Sequence, residues 1–112
     1  MVGRWSYAPP MDVYETEKEV IVEIELPEVG PEDVRIISEG RRITVEGNKG
    51  YRVESGKVRF LRLERYSGFF RRVVELPFTP DKDGIKASMG HGVLRIRIPK
   101  QAQTIKVEEG NE

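Results

Sequence analysis

Apolar and polar residues alternate with period two along most of this chain. In "EVIVEIELP" Val20, Val22, Ile24 and Leu26 share one face, with Glu23 and Glu25 on the other. "RRITVEG" repeats the pattern with Ile43 and Val45. "GVLRIRIPK" does so with Leu94, Ile96 and Ile98 set against Arg95 and Arg97. A strand points successive side chains to opposite faces, so these segments predict strands with one face on a core. "MDVYET", "VRIIS", "VRFLRLER", "FFRRVVELP" and "IKAS" predict further strands. The pairs Leu26-Pro27, Leu76-Pro77 and Ile98-Pro99 end strands, because proline has no ladder donor. "GPED", "TPDKDG" and "MGHG" supply turn residues. Seven or eight short, regularly punctuated strands predict an all-β fold, a β-sandwich.

Three features break this regularity. About twenty residues separate Gly47 from Gly68, a long connection for a compact sandwich, and "VRFLRLER" lies within it. A strand on so long a loop can leave its own sheet and pair on another subunit. Secondly, alternation in "GFFRRVVELP" sets Arg72 on the same face as Phe70, Val74 and Leu76. A charge there either snorkels to the sheet edge or pairs with a carboxylate at a subunit interface, and the second reading is preferred. Thirdly, the tail "TIKVEEGNE" carries Ile105 and Val107 two residues apart, a short strand with one apolar face. Such a tail can latch onto a neighbouring subunit, or cover its own sheet edge against aggregation.

Composition narrows the function. With 112 residues the chain holds one domain. Nineteen basic and nineteen acidic side chains give zero formal net charge, which argues against a dedicated binder of nucleic acid or anionic membrane. No cysteine is present, so disulfides, thiolate nucleophiles and Cys-based metal sites are excluded. The N-terminus shows no apolar signal core and no stretch approaches a membrane span, so a cytoplasmic location is expected. The single histidine, His91, sits between glycines and reads as a turn residue. "GHGVLR" lacks the third glycine and the following helix of a dinucleotide fingerprint. Glu23 and Glu25 read as a solvated strand face. No enzyme, metal or cofactor is expected. Arg52, Arg59, Arg62, Arg65, Arg71 and Arg72 interleave with Phe60, Tyr66, Phe69 and Phe70 as nucleic-acid stacking platforms would. Glu54, Glu64 and Glu75 dilute that patch.

The motifs together resemble the α-crystallin domain of the small heat-shock proteins, ATP-independent chaperones. "WSYAPPMDVYET" is similar to the family's lead-in to its first strand. "LERYSGFFRRVVELP" resembles the segment E-R-x-x-G-x-F-x-R…L-P through Glu64, Arg65, Gly68, Phe70, Arg72, Leu76 and Pro77. "ASMGHGVLRIRIPK" resembles the A-x-x-x-n-G-V-L block through Ala87, Gly92, Val93 and Leu94, with His91 where Asn is commoner. Ile105-Lys106-Val107 resembles the C-terminal I-x-I/V anchor.

The resemblance implies an immunoglobulin-like sandwich whose long-loop strand, within residues 51–66, is exchanged onto the partner's first strand, as in the bacterial, archaeal and plant branch. It places Arg72, Tyr51, Phe60, Leu61 and Glu64 at the dimer interface. It implies that Ile105 and Val107 enter a groove formed by Val34, Ile36, Ile85 and Ala87, joining dimers into higher oligomers. Residues 1–9 then form a short N-terminal arm, 10–99 the domain and 100–112 an extension bearing the anchor. The family usually carries a longer apolar arm, and favours glycine where Glu28 follows Leu26-Pro27, a turn that Gly30 could serve. The function implied is a holdase that binds unfolding proteins as a dimer-based oligomer. Its partners are its own copies and unfolding clients, with no nucleic acid or membrane. The alternatives are a CS-type co-chaperone sandwich and, behind it, an Arg-rich nucleic-acid module.

Overall fold

Alternation and proline punctuation are realised as seven strands. The computed structural model describes residues 7–50, 56–101 and 105–110. The strands are β1 (Met11–Glu15), β2 (Glu19–Glu25), β3 (Val34–Glu39), β4 (Arg42–Lys49), β5 (Gly68–Glu75), β6 (Lys86–Gly90) and β7 (Val93–Pro99). They form two antiparallel sheets, one ordered β1-β2-β7-β6 and the other β3-β4-β5. The β-sandwich expectation therefore holds, with no α-helix among the described residues.

The two inner faces meet in one core. Val22, Ile24 and Leu26 of the first sheet, Ile96 and Ile98 beside them, and Ile43, Val45 and Phe70 of the second are fully buried. Each such side chain contributes about 1.5–3 kcal/mol of apolar transfer, which is what fixes the register. Ile21 departs from the pattern: it faces outward, yet is only 5% exposed. Its register partners are Tyr14 and Arg97, and the ion pairs Arg97–Glu19 (2.9 Å) and Arg95–Glu23 (2.7 Å) flank it. Long side-chain stems lying over a β-branched residue account for the cover.

Two connections shape the seams between the sheets. The β6–β7 hairpin turns on His91 (φ 54°) and Gly92 (φ 75°), a two-residue loop left-handed at both positions. This turn packs on Pro27, and Leu26 N–H donates to the Gly92 carbonyl at 2.8 Å. A 3-10 turn, Pro31–Asp33, then leads into β3. Gly30 does not serve the bend after Leu26-Pro27: its φ is −92°, and Glu28 itself takes the left-handed conformation at φ 65°. Ahead of β1, Tyr7 forms a parallel bridge with Phe70, so the chain runs along β5 before crossing to the other sheet.

One expected strand is absent. Residues 56–67 make no ladder, and Val58, Phe60, Leu61 and Leu63 within "VRFLRLER" are exposed. A strand needs a partner edge, and among the described residues no strand forms a ladder with this segment.

Candidate protein-interaction site

The sandwich leaves an open seam where β3 edges one sheet and β6 the other. Val34 and Ile36 of β3 and Ala87, Ser88 and Met89 of β6 line one space, so these two edges face each other. Between them is a groove of about 210 Å³ lined by Pro31, Val34, Ile36, Ala87, Ser88, Met89 and Leu94. Leu94 is buried, while Val34, Ile36 and Met89 are half-buried and pack on the core from its rim. Of the groove residues expected from the sequence, Val34, Ile36 and Ala87 line it. Ile85 stands outside the lining, half-buried against the core just after the 3-10 turn Lys82–Gly84. Pro31, Ser88, Met89 and Leu94 join the lining beyond those expected. Pro31 lies in the turn "GPED" and Leu94 in the alternating "GVLRIRIPK", so that signal becomes readable only with the two edges facing. Gly92 and Val93 shape the hairpin behind the groove.

Ile105 and Val107 are 81% and 91% exposed and join no strand. Branched apolar side chains left this open in a tail are unsatisfied until another surface covers them.

The opposite seam, between β1 and β5, holds Arg72. Its side chain is on the inner face and half-buried, and Nη1 donates to the Pro9 carbonyl at 3.2 Å. It thus ties down the segment leading into β1. The outer edge of β1 carries no strand partner among the described residues, and Val13 and Tyr14 are exposed there. Of the remaining expected interface residues, Phe60, Leu61 and Glu64 lie on the exposed loop. Tyr51 lies outside the described residues. The loop's far end is anchored: Arg65 pairs with Glu28 at 3.1 Å, and the Tyr66 ring stacks on Tyr7 with centroids 4.9 Å apart.

Arg62, Arg65, Arg71 and Arg72 of the Arg-rich patch are engaged by acidic or carbonyl groups. Arg62 pairs with Glu64, Arg65 with Glu28, and Arg71 with Glu46. Among the described residues, no group of three or more His, Cys, Asp or Glu side chains converges as a metal site. No described helix is long and apolar enough to cross a membrane.

Comparison with known proteins agrees with this geometry. The model of the Hsp20/alpha crystallin family matches residues 12–110. Small heat shock protein C2 of Rickettsia felis is 34% identical over 102 residues, covering 89% of this chain and 66% of that protein. The 17.8 kDa class I heat shock protein of Solanum lycopersicum is 33% identical over 92 residues, covering 81% and 60%. The chain thus spans about 60 to 66% of the length of these curated relatives. Among solved structures, heat shock protein 16.0 of Schizosaccharomyces pombe superposes with a TM-score of 0.77 at 31% identity, covering 95% of this chain and 100% of that one. A small heat-shock protein from Xylella fastidiosa gives 0.77 at 33% identity, with coverages of 96% and 100%.

Proposed function

This chain belongs to the Hsp20/alpha crystallin family, and on that premise we propose that it is an ATP-independent holdase acting in the cytoplasm as a dimer-based oligomer. The observation that carries the reading is the open apolar groove between β3 and β6 on a chain that also presents Ile105 and Val107 uncovered. An extended apolar segment can add to such a seam by strand addition, whether it is a neighbour's tail or part of an unfolding protein. The driving force is the client's own exposed apolar surface, so neither nucleotide nor cofactor is required. Holding the unfolded form lowers its free concentration and with it the rate of aggregation. The test is light scattering of a thermally unfolding reporter protein, with and without the full chain and with no nucleotide. Suppression near equimolar ratio is expected. Unchanged scattering at about tenfold excess would sink the proposal.

The dimer, on this reading, forms when the loop strand of one protomer pairs on the free edge of β1 in the other. The exposed Val58, Phe60, Leu61 and Leu63 and a β1 edge without a strand partner among the described residues support it. Arg72 sits beside that edge, holding Pro9 and through it the path of β1. Deleting residues 51–66 is expected to give monomers, and Arg72→Ala to weaken dimerisation by about tenfold, near 1.4 kcal/mol. Sedimentation equilibrium checks both, and a stable dimer after the deletion would rule out strand exchange. Residues 1–9, 10–99 and 100–112 then act as arm, interaction domain and latch.

A further inference from the structure

The outward face of the three-stranded sheet carries a charge pattern that its own fold does not require. Across the strands, Glu39, Arg42 and Glu75 form one row and Arg35, Glu46 and Arg71 another. Midway between them lies a row of Ile37, Thr44 and Val73. Neighbours within a row pair: Arg42 with Glu75 at 3.1 Å, and Glu46 with Arg35 at 2.6 Å and Arg71 at 3.8 Å. Those contacts explain why signs alternate along a row. They do not explain why the signs invert from one row to the other. The charged rows are four residues apart along each strand, about 13 Å at roughly 3.3 Å per residue, beyond the ~8–10 Å screening length of exposed charges.

The inversion acquires a use when two such faces meet. A two-fold axis along the Ile37–Thr44–Val73 row sets each charged row against the other row of the second copy. Glu39 then faces Arg35, Arg42 faces Glu46, and Glu75 faces Arg71, each twice by symmetry. A two-fold axis along β4 would instead set Arg42 on Arg42 and Glu39 on Glu75, like on like. The first arrangement also lays the uncharged row on itself. There Thr44 is already only 4% exposed, while Val73 is 42% exposed with no cover of its own. Strands aligned within about 30° across the interface are the ordinary way twisted sheets stack.

We propose that this face docks on the same face of a second copy about a two-fold axis along that row, a contact independent of the tail groove and of the long loop. Three strands about 4.8 Å apart and five residues long outline roughly 240 Å². That is well under the ~800 Å² per partner of a standard interface. The contact is therefore weak between free molecules and effective between copies already held in one assembly.

The test uses the full chain carrying Ile105→Gly and Val107→Gly, so that the tail contributes nothing to the mass. Sedimentation velocity at low salt compares this background with Glu46→Arg, and with Arg42→Glu combined with Glu46→Arg. The single change sets Arg42 against an arginine and is expected to weaken self-association about tenfold. The pair of changes breaks the in-row ion pairs but gives two rows of uniform, opposite sign, so association is expected to return. Association no better in the double variant than in the single overturns the proposal. A second measurement leaves the charges untouched. The chain has no cysteine, so Val73→Cys and Phe69→Cys each introduce one thiol. Val73 lies on the axis, whereas the two Phe69 positions stand about 26 Å apart. A short bismaleimide is expected to cross-link Val73→Cys to its own copy and to leave Phe69→Cys without a covalent cross-link. Equal cross-linking at both, or none at Val73, assigns the face to another partner or to solvent and overturns the proposal.

Discussion

Replacing Ile105 and Val107 with glycine is expected to reduce the oligomer to dimers. In the proposed latch, burying the two side chains in the β3–β6 groove contributes about 1.5–3 kcal/mol each. A few strand hydrogen bonds add about 1 kcal/mol apiece. Ordering five or so tail residues costs roughly 1–2 kcal/mol per residue. One tail in one groove therefore nets close to zero, and several tails acting together gain their hold from effective concentration, ~10²–10⁴ in affinity. Removing both apolar groups takes away the whole favourable side-chain contribution, so the loss is multiplied over every tail in the assembly. Light-scattering mass of the intact chain against the double variant measures it. Equal masses would instead assign the tail to covering its own sheet edge.

The second large effect is expected at Gly47, in β4. A Cβ there would run into the Asp33 carbonyl oxygen and come within 2.9 Å of the Phe70 Cζ. The first of these is rigid backbone and the second a fully buried ring, so neither yields at little cost. Gly47→Ala is expected to destabilise the domain by about 3 kcal/mol, at the upper end of overpacking effects. That lowers Tm by roughly 12 °C for a domain of this size. Thermal unfolding followed by circular dichroism reads it, and a Tm within about 2 °C of the parent would show that β4 and the Pro31–Asp33 turn can separate freely. Because that turn delivers Val34 and Ile36, the same variant is expected to loosen the groove.

Alternation along the chain is enough to find the strands and most of the core, because burial on one face is a local pattern. The family resemblance, rather than alternation, singles out Val34, Ile36 and Ala87, which line the groove. What alternation cannot supply is partnership. "VRFLRLER" alternates well enough to look like a strand, but a ladder needs a second edge, and none pairs with it among the described residues. Ile21 sits on the charged face of its strand yet is buried, flanked in register by Tyr14 and by Arg97, which is remote in sequence. Gly47 looks like a strand-terminating glycine, whereas the fold carries β4 on to Lys49 and needs the missing Cβ for the approach of Asp33. The family pattern favours a glycine after Leu26-Pro27, yet Glu28 occupies the left-handed conformation and pairs its carboxylate with Arg65. Contacts made through the folded chain decide each of these cases.

Donor and acceptor of the proposed latch reside on one polypeptide, and this sets a conservation rule. Every chain contributes one tail and one groove, so in any assembly the number of vacant grooves equals the number of undocked tails. A closed shell with every tail seated has no vacancy at this seam. Capacity for clients there is created only by releasing a tail, and rises one for one with it. Warming, dilution or subunit exchange then all act as a valve on a single stoichiometric quantity, and an added peptide copying the tail would compete with clients even as it dissolved the shell.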